Sequence, residues 1–147
     1  MSLLEQIRKD MISSLKSGEK EKNQTLKMIL ATIKNAQLES SKELKDIDVE
    51  KILRKETKKI EDSIDQYTKM GREDLVNKEK LDFNIIKVYL PELMSEDDVK
   101  KIVETQIKKL GAQDMRDMGR VMGAAMKELD GKADGNTVKD IVQQILG

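Results

Sequence analysis

Apolar residues recur along this chain at intervals of three and four, the spacing that gathers them on one face of an α-helix. Seven such runs are separated by polar or glycine-containing breaks. Ser2 can cap a first helix whose apolar face is Leu4, Ile7, Met11 and Leu15 and which stops at Ser17-Gly18. A second helix, from about Glu21 to Ser40, turns Leu26, Ile29, Leu30 and Ile33 inward, and the polar stretch from Ser40 to Asp48 reads as a loop. Val49, Ile52, Leu53, Ile60, Ile64 and Tyr67 mark a longer third helix that Gly71 interrupts. The fourth runs from about Glu73 to Tyr89 and stops before Pro91, because proline clashes with a helical residue ahead of it. Ser95, with Asp98 three residues on, gives the fifth helix a variant capping box; Val99, Ile102, Val103, Ile107 and Leu110 form its inner face and Gly111 its stop. Asp114 can cap a sixth helix ending near Asp130-Gly131. Asp134 can cap a seventh with Val138, Ile141, Val142, Ile145 and Leu146 inward. The pattern predicts an all-α protein in two parts. Residues 1–93 form a long-helix bundle or hairpin, and residues 94–147 form a compact three-helix domain. The second part is near the lower size limit for independent stability, so tight packing is expected there.

Composition narrows the chemistry. Charged residues make up 38% of the chain, which would suggest disorder were the apolar 37% not so regularly spaced. One proline and 2% aromatics favour helices over strands. The 28 basic and 28 acidic residues cancel, and neither part departs from balance: residues 95–147 carry 9 basic and 10 acidic side chains, residues 1–94 carry 19 and 18. A globally basic nucleic-acid binder is excluded, although a local basic patch is not. With no cysteine and no histidine, thiolate chemistry, serine–histidine triads, imidazole bases and histidine–zinc sites are unavailable. No apolar run is long enough to span a membrane, and the N-terminus lacks the apolar core of a signal peptide. The expectation is a cytoplasmic protein with no membrane partner, no metal and no small-molecule cofactor.

The sixth helix carries the most informative pattern. Gly119 and Gly123 sit inside it, each costing about 1 kcal/mol relative to alanine. On a wheel of about 100° per residue with Met118 at zero, Met115, Met118, Met122, Met126 and Leu129 form an apolar stripe. Gly119 and Gly123 lie beside it, and Arg116, Lys127 and Arg120 come next, on the far side of the glycines. One reading makes Gly119, Gly123 and Gly131 close-packing positions that let a neighbouring helix approach a methionine core. The other admits a phosphate backbone along the glycine–basic edge, where arginine offers a planar donor fork. The readings are compatible, and Arg116, Arg120, Lys127 and Lys132 are the candidate RNA contacts.

The loop Gly131-Lys132-Ala133-Asp134-Gly135 opens the seventh helix, where free N–H groups attract anions. Asp134 competes for those groups as a cap, so a tight turn and a phosphate contact are both open; the loop is not a Walker A sequence. Arg54, Lys55, Lys58 and Lys59 on the third helix are balanced by acidic neighbours, among them the i,i+4 pairs Glu50–Arg54 and Asp65–Lys69, and read as a solvated face. Glu61 and Asp65 share a face, but Lys58 and Lys69 flank them, which makes a charge ladder and not an acid–base pair. No catalytic residue is assigned.

Tyr89-Leu-Pro-Glu-Leu-Met-Ser-Glu96, Asp117-Met-Gly-Arg-Val-Met-Gly123, Gly131-Lys-Ala-Asp-Gly135 and, more weakly, Gly71-Arg-Glu-Asp-Leu75 resemble the YqeY family along essentially the whole chain. The resemblance implies a two-part helical protein. Its last three helices are similar to the tail domain of GatB, the B subunit of the glutamyl/aspartyl-tRNA amidotransferase, and to appendages of some bacterial glutaminyl-tRNA synthetases, where such tails bind tRNA. It therefore implies a bacterial setting and a non-catalytic accessory protein that binds tRNA, or an aminoacyl-tRNA synthetase or amidotransferase, through the C-terminal domain. Gly119, Gly123 and Gly131 match the family's glycine pattern. Two other functions stay open. One is a part in glutamine-dependent tRNA amidation, a carbon–nitrogen ligase activity with glutamine as amido donor. The other is a protein–protein adaptor using the N-terminal helices.

Overall fold

The computed structural model describes all 147 residues as seven α-helices and one short 3-10 turn, with no strand. They are α1 (Leu3–Ser17), α2 (Lys20–Glu39), α3 (Asp46–Lys69), α4 (Glu73–Lys87), α5 (Glu96–Leu110), the 3-10 turn (Met115–Asp117), α6 (Met118–Leu129) and α7 (Gly135–Leu146). The protein is all-α, and its helices fall where the apolar periodicity places them. Three ends differ from the periodicity for identifiable reasons. α3 begins at Asp46, ahead of Val49, because acidic residues suit a helix N-terminus: the Asp48 carboxylate accepts from the Lys45 N–H at 2.9 Å, and that of Asp46 accepts from the Leu3 N–H at 3.0 Å. α4 ends at Lys87, and Val88 to Leu90 form a turn in which Tyr89 donates its N–H to Ile86. α6 begins only at Met118, because Asp114 caps the 3-10 turn before it, its side chain accepting from the Arg116 N–H at 2.9 Å.

The chain divides into two compact units, Met1–Pro91 and Glu92–Gly147. In the first, α1 packs on α2 and α3 on α4 around Ile7, Leu26, Ile29, Ile33, Val49, Leu53 and Ile86, all closed to solvent. Long-range polar ties fix how these helices meet. Asn23 donates its side-chain amide to the Met11 carbonyl at 2.9 Å, Thr25 its hydroxyl to Asp82 at 2.8 Å, and Tyr89 its phenol to Asp10 at 2.6 Å. Burial, then the hydrogen bond to Asp10, pushes the Tyr89 phenol well above its ordinary range, so it stays a neutral donor. The Arg54 guanidinium donates to the Pro91 carbonyl at 2.8 Å, which takes that arginine out of a purely solvated face.

In the second unit, Val99 and Val103 from α5, Val121, Ala125 and Leu129 from α6, and Val138 and Val142 from α7 form the fully buried centre. Ser95 caps α5, accepting from the Asp98 N–H at 3.2 Å. Gly111 at φ 65° and Gly131 at φ 76° make the left-handed turns that end α5 and leave α6, a conformation that costs other residues a steric clash. The Met94 N–H donates to the Lys132 carbonyl at 2.9 Å and closes the unit at its start.

Leu129→Ala removes a fully buried side chain from a small core and is expected to destabilise the C-terminal unit by about 2–5 kcal/mol. Ser95→Ala removes a cap and is expected to cost about 1 kcal/mol. Urea denaturation followed by circular dichroism measures both, and a Leu129→Ala midpoint equal to wild type would contradict the packing described.

Candidate functional site

The sequence places Gly119, Gly123 and four cations on or near α6, and the structure separates them. Because the 3-10 turn advances about 120° per residue and not 100°, Met115 and Arg116 do not continue the α6 wheel. Arg116 instead turns back to Asp114, its Nε at 3.2 Å and its Nη2 at 2.8 Å from the carboxylate. Met115 is 41% exposed. The core face of α6 is Val121, Ala125 and Leu129, with Met118, Met122 and Met126 only partly buried at its margin. The expected methionine core is therefore corrected: valine, alanine and leucine hold the centre, and the methionines cover its edge.

The close-packing role expected of the glycines is also corrected. A Cβ built on Gly119 or Gly123 would meet no atom within 4 Å outside its own helix backbone, and both positions are exposed. No neighbouring helix of this chain needs them bare. Gly131 serves a left-handed turn, so its requirement is conformational. The two α6 glycines form part of an open groove of about 550 Å³ between α5 and α6. Gln106 and Leu110 line its α5 side; Gly119, Arg120, Gly123, Ala124, Lys127 and Glu128 line its α6 side.

Of the four candidate cations, the groove brings together Arg120 and Lys127. Arg120 donates its Nη2 to Asp117 at 3.0 Å and, at the long limit of 3.5 Å, to the Leu110 carbonyl at the end of α5. Lys127 is exposed and takes part in none of the chain's ion pairs. Lys132 lies on the α6–α7 turn, exposed but outside the groove lining. The turn itself is closed by Asp134, whose carboxylate accepts from the Asn136 N–H at 2.8 Å and so occupies the α7 N-terminus. Asp114 is held below the ordinary carboxylate range by the hydrogen bond from Arg116 and then by that residue's backbone N–H. Asp117 is lowered first by the Gln113 N–H and then by Arg120.

Two groove residues escaped the sequence reading. Gln106 is almost fully buried and donates its Nε2 to Glu128 at 2.8 Å. Its signal was present: it occupies a position on the Val99, Val103, Leu110 face where an apolar residue was due. Glu128 carried no such signal, since a glutamate on a helix surface is ordinary. The site therefore combines a floor with little side chain, two cations, and a carboxylate held by a buried amide. That arrangement can seat a strand bearing both anionic and hydrogen-bond-donating groups.

The family described as Yqey-like protein (YqeY) matches residues 4–146. An uncharacterised protein of Schizosaccharomyces pombe is 37% identical over 86 residues, covering 58% of this chain and 70% of that protein. A protein of Pyrenophora tritici-repentis named altered inheritance of mitochondria protein 41, mitochondrial, is 26% identical over 99% of this chain and 81% of its own length. Its namesake in Eremothecium gossypii is 33% identical over 61% of this chain and 50% of its own length. These relatives are fungal, whereas the resemblance implied a bacterial setting. Two are named as mitochondrial proteins, which overturns the cytoplasmic expectation. Apolar run lengths report on membrane spanning and say nothing about compartment; no helix here is long and apolar enough to cross a membrane.

Since Gly119 and Gly123 lie in open space on a helix, Gly119→Ala and Gly123→Ala are each expected to stabilise the C-terminal unit by about 1 kcal/mol, read from urea midpoints. A loss of stability would restore a packing role. Asp114 and Asp117 are expected to titrate below the ordinary 3.8 in carboxyl-carbon NMR. Their ion pairs contribute above the unfolded carboxylate range and are lost as pH falls through the lowered values.

Proposed function

We propose, for a chain that belongs to the YqeY family, that the C-terminal unit is a non-catalytic docking module for tRNA, with the α5–α6 groove as its contact surface. The observation that carries the reading is the pair of open helix glycines beside Arg120 and Lys127. Two glycines in one helix cost about 2 kcal/mol relative to alanine, and no contact within the chain requires them. A partner that needs a close backbone approach gives them a purpose. The similarity of the last three helices to the GatB tail supports tRNA as that partner. A sugar–phosphate strand suits the groove, because its phosphates meet Arg120 and Lys127 while its ribose hydroxyls can donate to Glu128. Aromatic stacking contributes little, as aromatics are 2% of the chain.

The electrostatics set the expected strength. Arg116 and Arg120 are already paired with Asp114 and Asp117, so few phosphates are contacted and affinity is modest. The logarithm of the binding constant is expected to fall with the logarithm of salt with a slope on the order of −2. Two of the relatives are named as mitochondrial, so a mitochondrial tRNA pool is the first to test.

The test is fluorescence anisotropy of labelled tRNA at several salt concentrations. Gly119→Ala/Gly123→Ala is expected to fold at least as well as wild type and to bind about tenfold more weakly, because two methyl groups occupy the floor of the groove. Arg120→Ala/Lys127→Ala should weaken binding and flatten the salt slope. Asp114→Asn/Asp117→Asn keeps an oxygen for the backbone N–H that each side chain accepts, from Arg116 and from Gln113, frees both arginines and should strengthen binding. Wild-type affinity in the first two variants would reject the groove as the tRNA surface.

A further inference from the structure

The N-terminal unit has a second groove, unlike the first in chemistry. It runs between α1 and α2, has a volume of about 280 Å³, and is lined by Leu4, Leu30, Ala31 and Ile33 with Arg8 and Lys34 at its edges. Gln37 closes one end, where its side chain accepts from the Leu44 N–H at 2.9 Å and donates to the Lys42 carbonyl at 2.9 Å. On a wheel of about 100° per residue, Leu4, Arg8, Ile12 and Leu15 fall within about 80° on α1, and Leu30, Lys34 and Leu38 within about 80° on α2. The apolar surface thus continues beyond the groove onto Ile12, Leu15 and Leu38, which are 49%, 62% and 75% exposed. Arg8 and Lys34 take part in none of the chain's ion pairs or side-chain hydrogen bonds, and no acidic residue lines the groove.

We infer that this groove docks an amphipathic helix of a protein partner, whose apolar side chains fill the groove and whose carboxylates meet Arg8 and Lys34. A groove between two antiparallel helices is the complement of a third helix's ridge of side chains, and a peptide helix in such a groove anchors through residues at i, i+3 or i+4, and i+7. The charge at the rim selects acidic flanks: one unpaired cation stands on each bordering helix, and no acid of this chain answers them. The same charges argue against a second copy of this chain, since a two-fold contact sets a patch against itself and this lining offers two cations and no acid to pair with them. A lipid surface suits the site less well. The groove is concave, and no aromatic residue of the kind that anchors membrane-surface helices lines it. This surface belongs to a different unit from the tRNA groove and does not depend on it.

The experiment uses the full chain and a labelled synthetic helix with leucine at i, i+4, i+7 and i+11 and glutamate beside them. Controls are the same helix with lysine for glutamate, and vesicles containing phosphatidylglycerol. The acidic helix is expected to bind, the lysine helix not to, and amide NMR shifts to map to α1 and α2. Arg8→Glu/Lys34→Glu, both exposed positions whose reversal leaves the core intact, should weaken the acidic helix about tenfold or more and leave tRNA affinity unchanged. Ala31→Trp, which fills the groove without altering charge, should weaken it as well. Equal binding of the two helices, unchanged affinity in the charge-reversed variant, shifts mapping elsewhere, or binding to vesicles but not to the acidic helix would each overturn the proposal.

Discussion

The C-terminal unit depends on the register of α6, which buries Val121, Ala125 and Leu129 in the shared core of the three helices. Asp114 accepts the Arg116 N–H and closes a 3-10 turn before the α-helix begins. That turn, wound more tightly than an α-helix, hands over to α6 at Met118. From that start Val121, Ala125 and Leu129 face the core, and Gly119 and Gly123 face outward. Rotating the helix by one residue, about 100°, would carry the glycines' side of the helix elsewhere and expose part of the valine core. The buried face and the open groove are therefore two consequences of one geometric constraint.

Two carboxylates beside the groove temper its charge. Asp114 and Asp117 hold Arg116 and Arg120 by ion pairs at 2.8 and 3.0 Å. Such exposed pairs add little to stability, but they keep a basic edge from acting as an open polycationic strip. What is left is Lys127, a partly engaged Arg120, and the exposed Glu128 held by the buried Gln106 amide. A surface of this kind selects by fit and by hydrogen bonding more than by bulk charge, in keeping with a chain whose charges cancel.

The N-terminal unit follows another logic. Its helices are located by part-buried polar ties between residues distant in the chain: Tyr89 to Asp10 and Thr25 to Asp82. Each satisfies a polar group at the margin of an apolar core, and a satisfied buried group specifies a geometry where an apolar contact alone tolerates slippage. These ties leave the outer side of the α1–α2 hairpin without a partner, with leucines and unpaired cations side by side. The two units thus present surfaces of different character, one with a bare backbone floor and mixed charge, the other apolar with a cationic rim.

Much of the architecture was legible in the sequence. Seven helices, the caps at Ser2, Ser95 and Asp134, and the stops at Gly18, Gly111 and Gly131 follow from three- and four-residue periodicity and from local capping chemistry, both of which act within a few residues. The site was only half legible. Gly119, Gly123, Arg120 and Lys127 stood out, but the wheel wrongly enlisted Arg116 and Met115, because a periodicity argument assumes one winding throughout and cannot see a 3-10 turn. It also assigned the glycines a packing role that the open space beside them denies. Gln106 and Glu128 became a pair only when α5 met α6. By itself, then, the sequence determined which residues are helical and which face of each helix is apolar, since these depend on neighbours along the chain. The tertiary structure alone decided which faces stay uncovered, because covering a face requires another helix, and no local pattern records where that helix fails to reach.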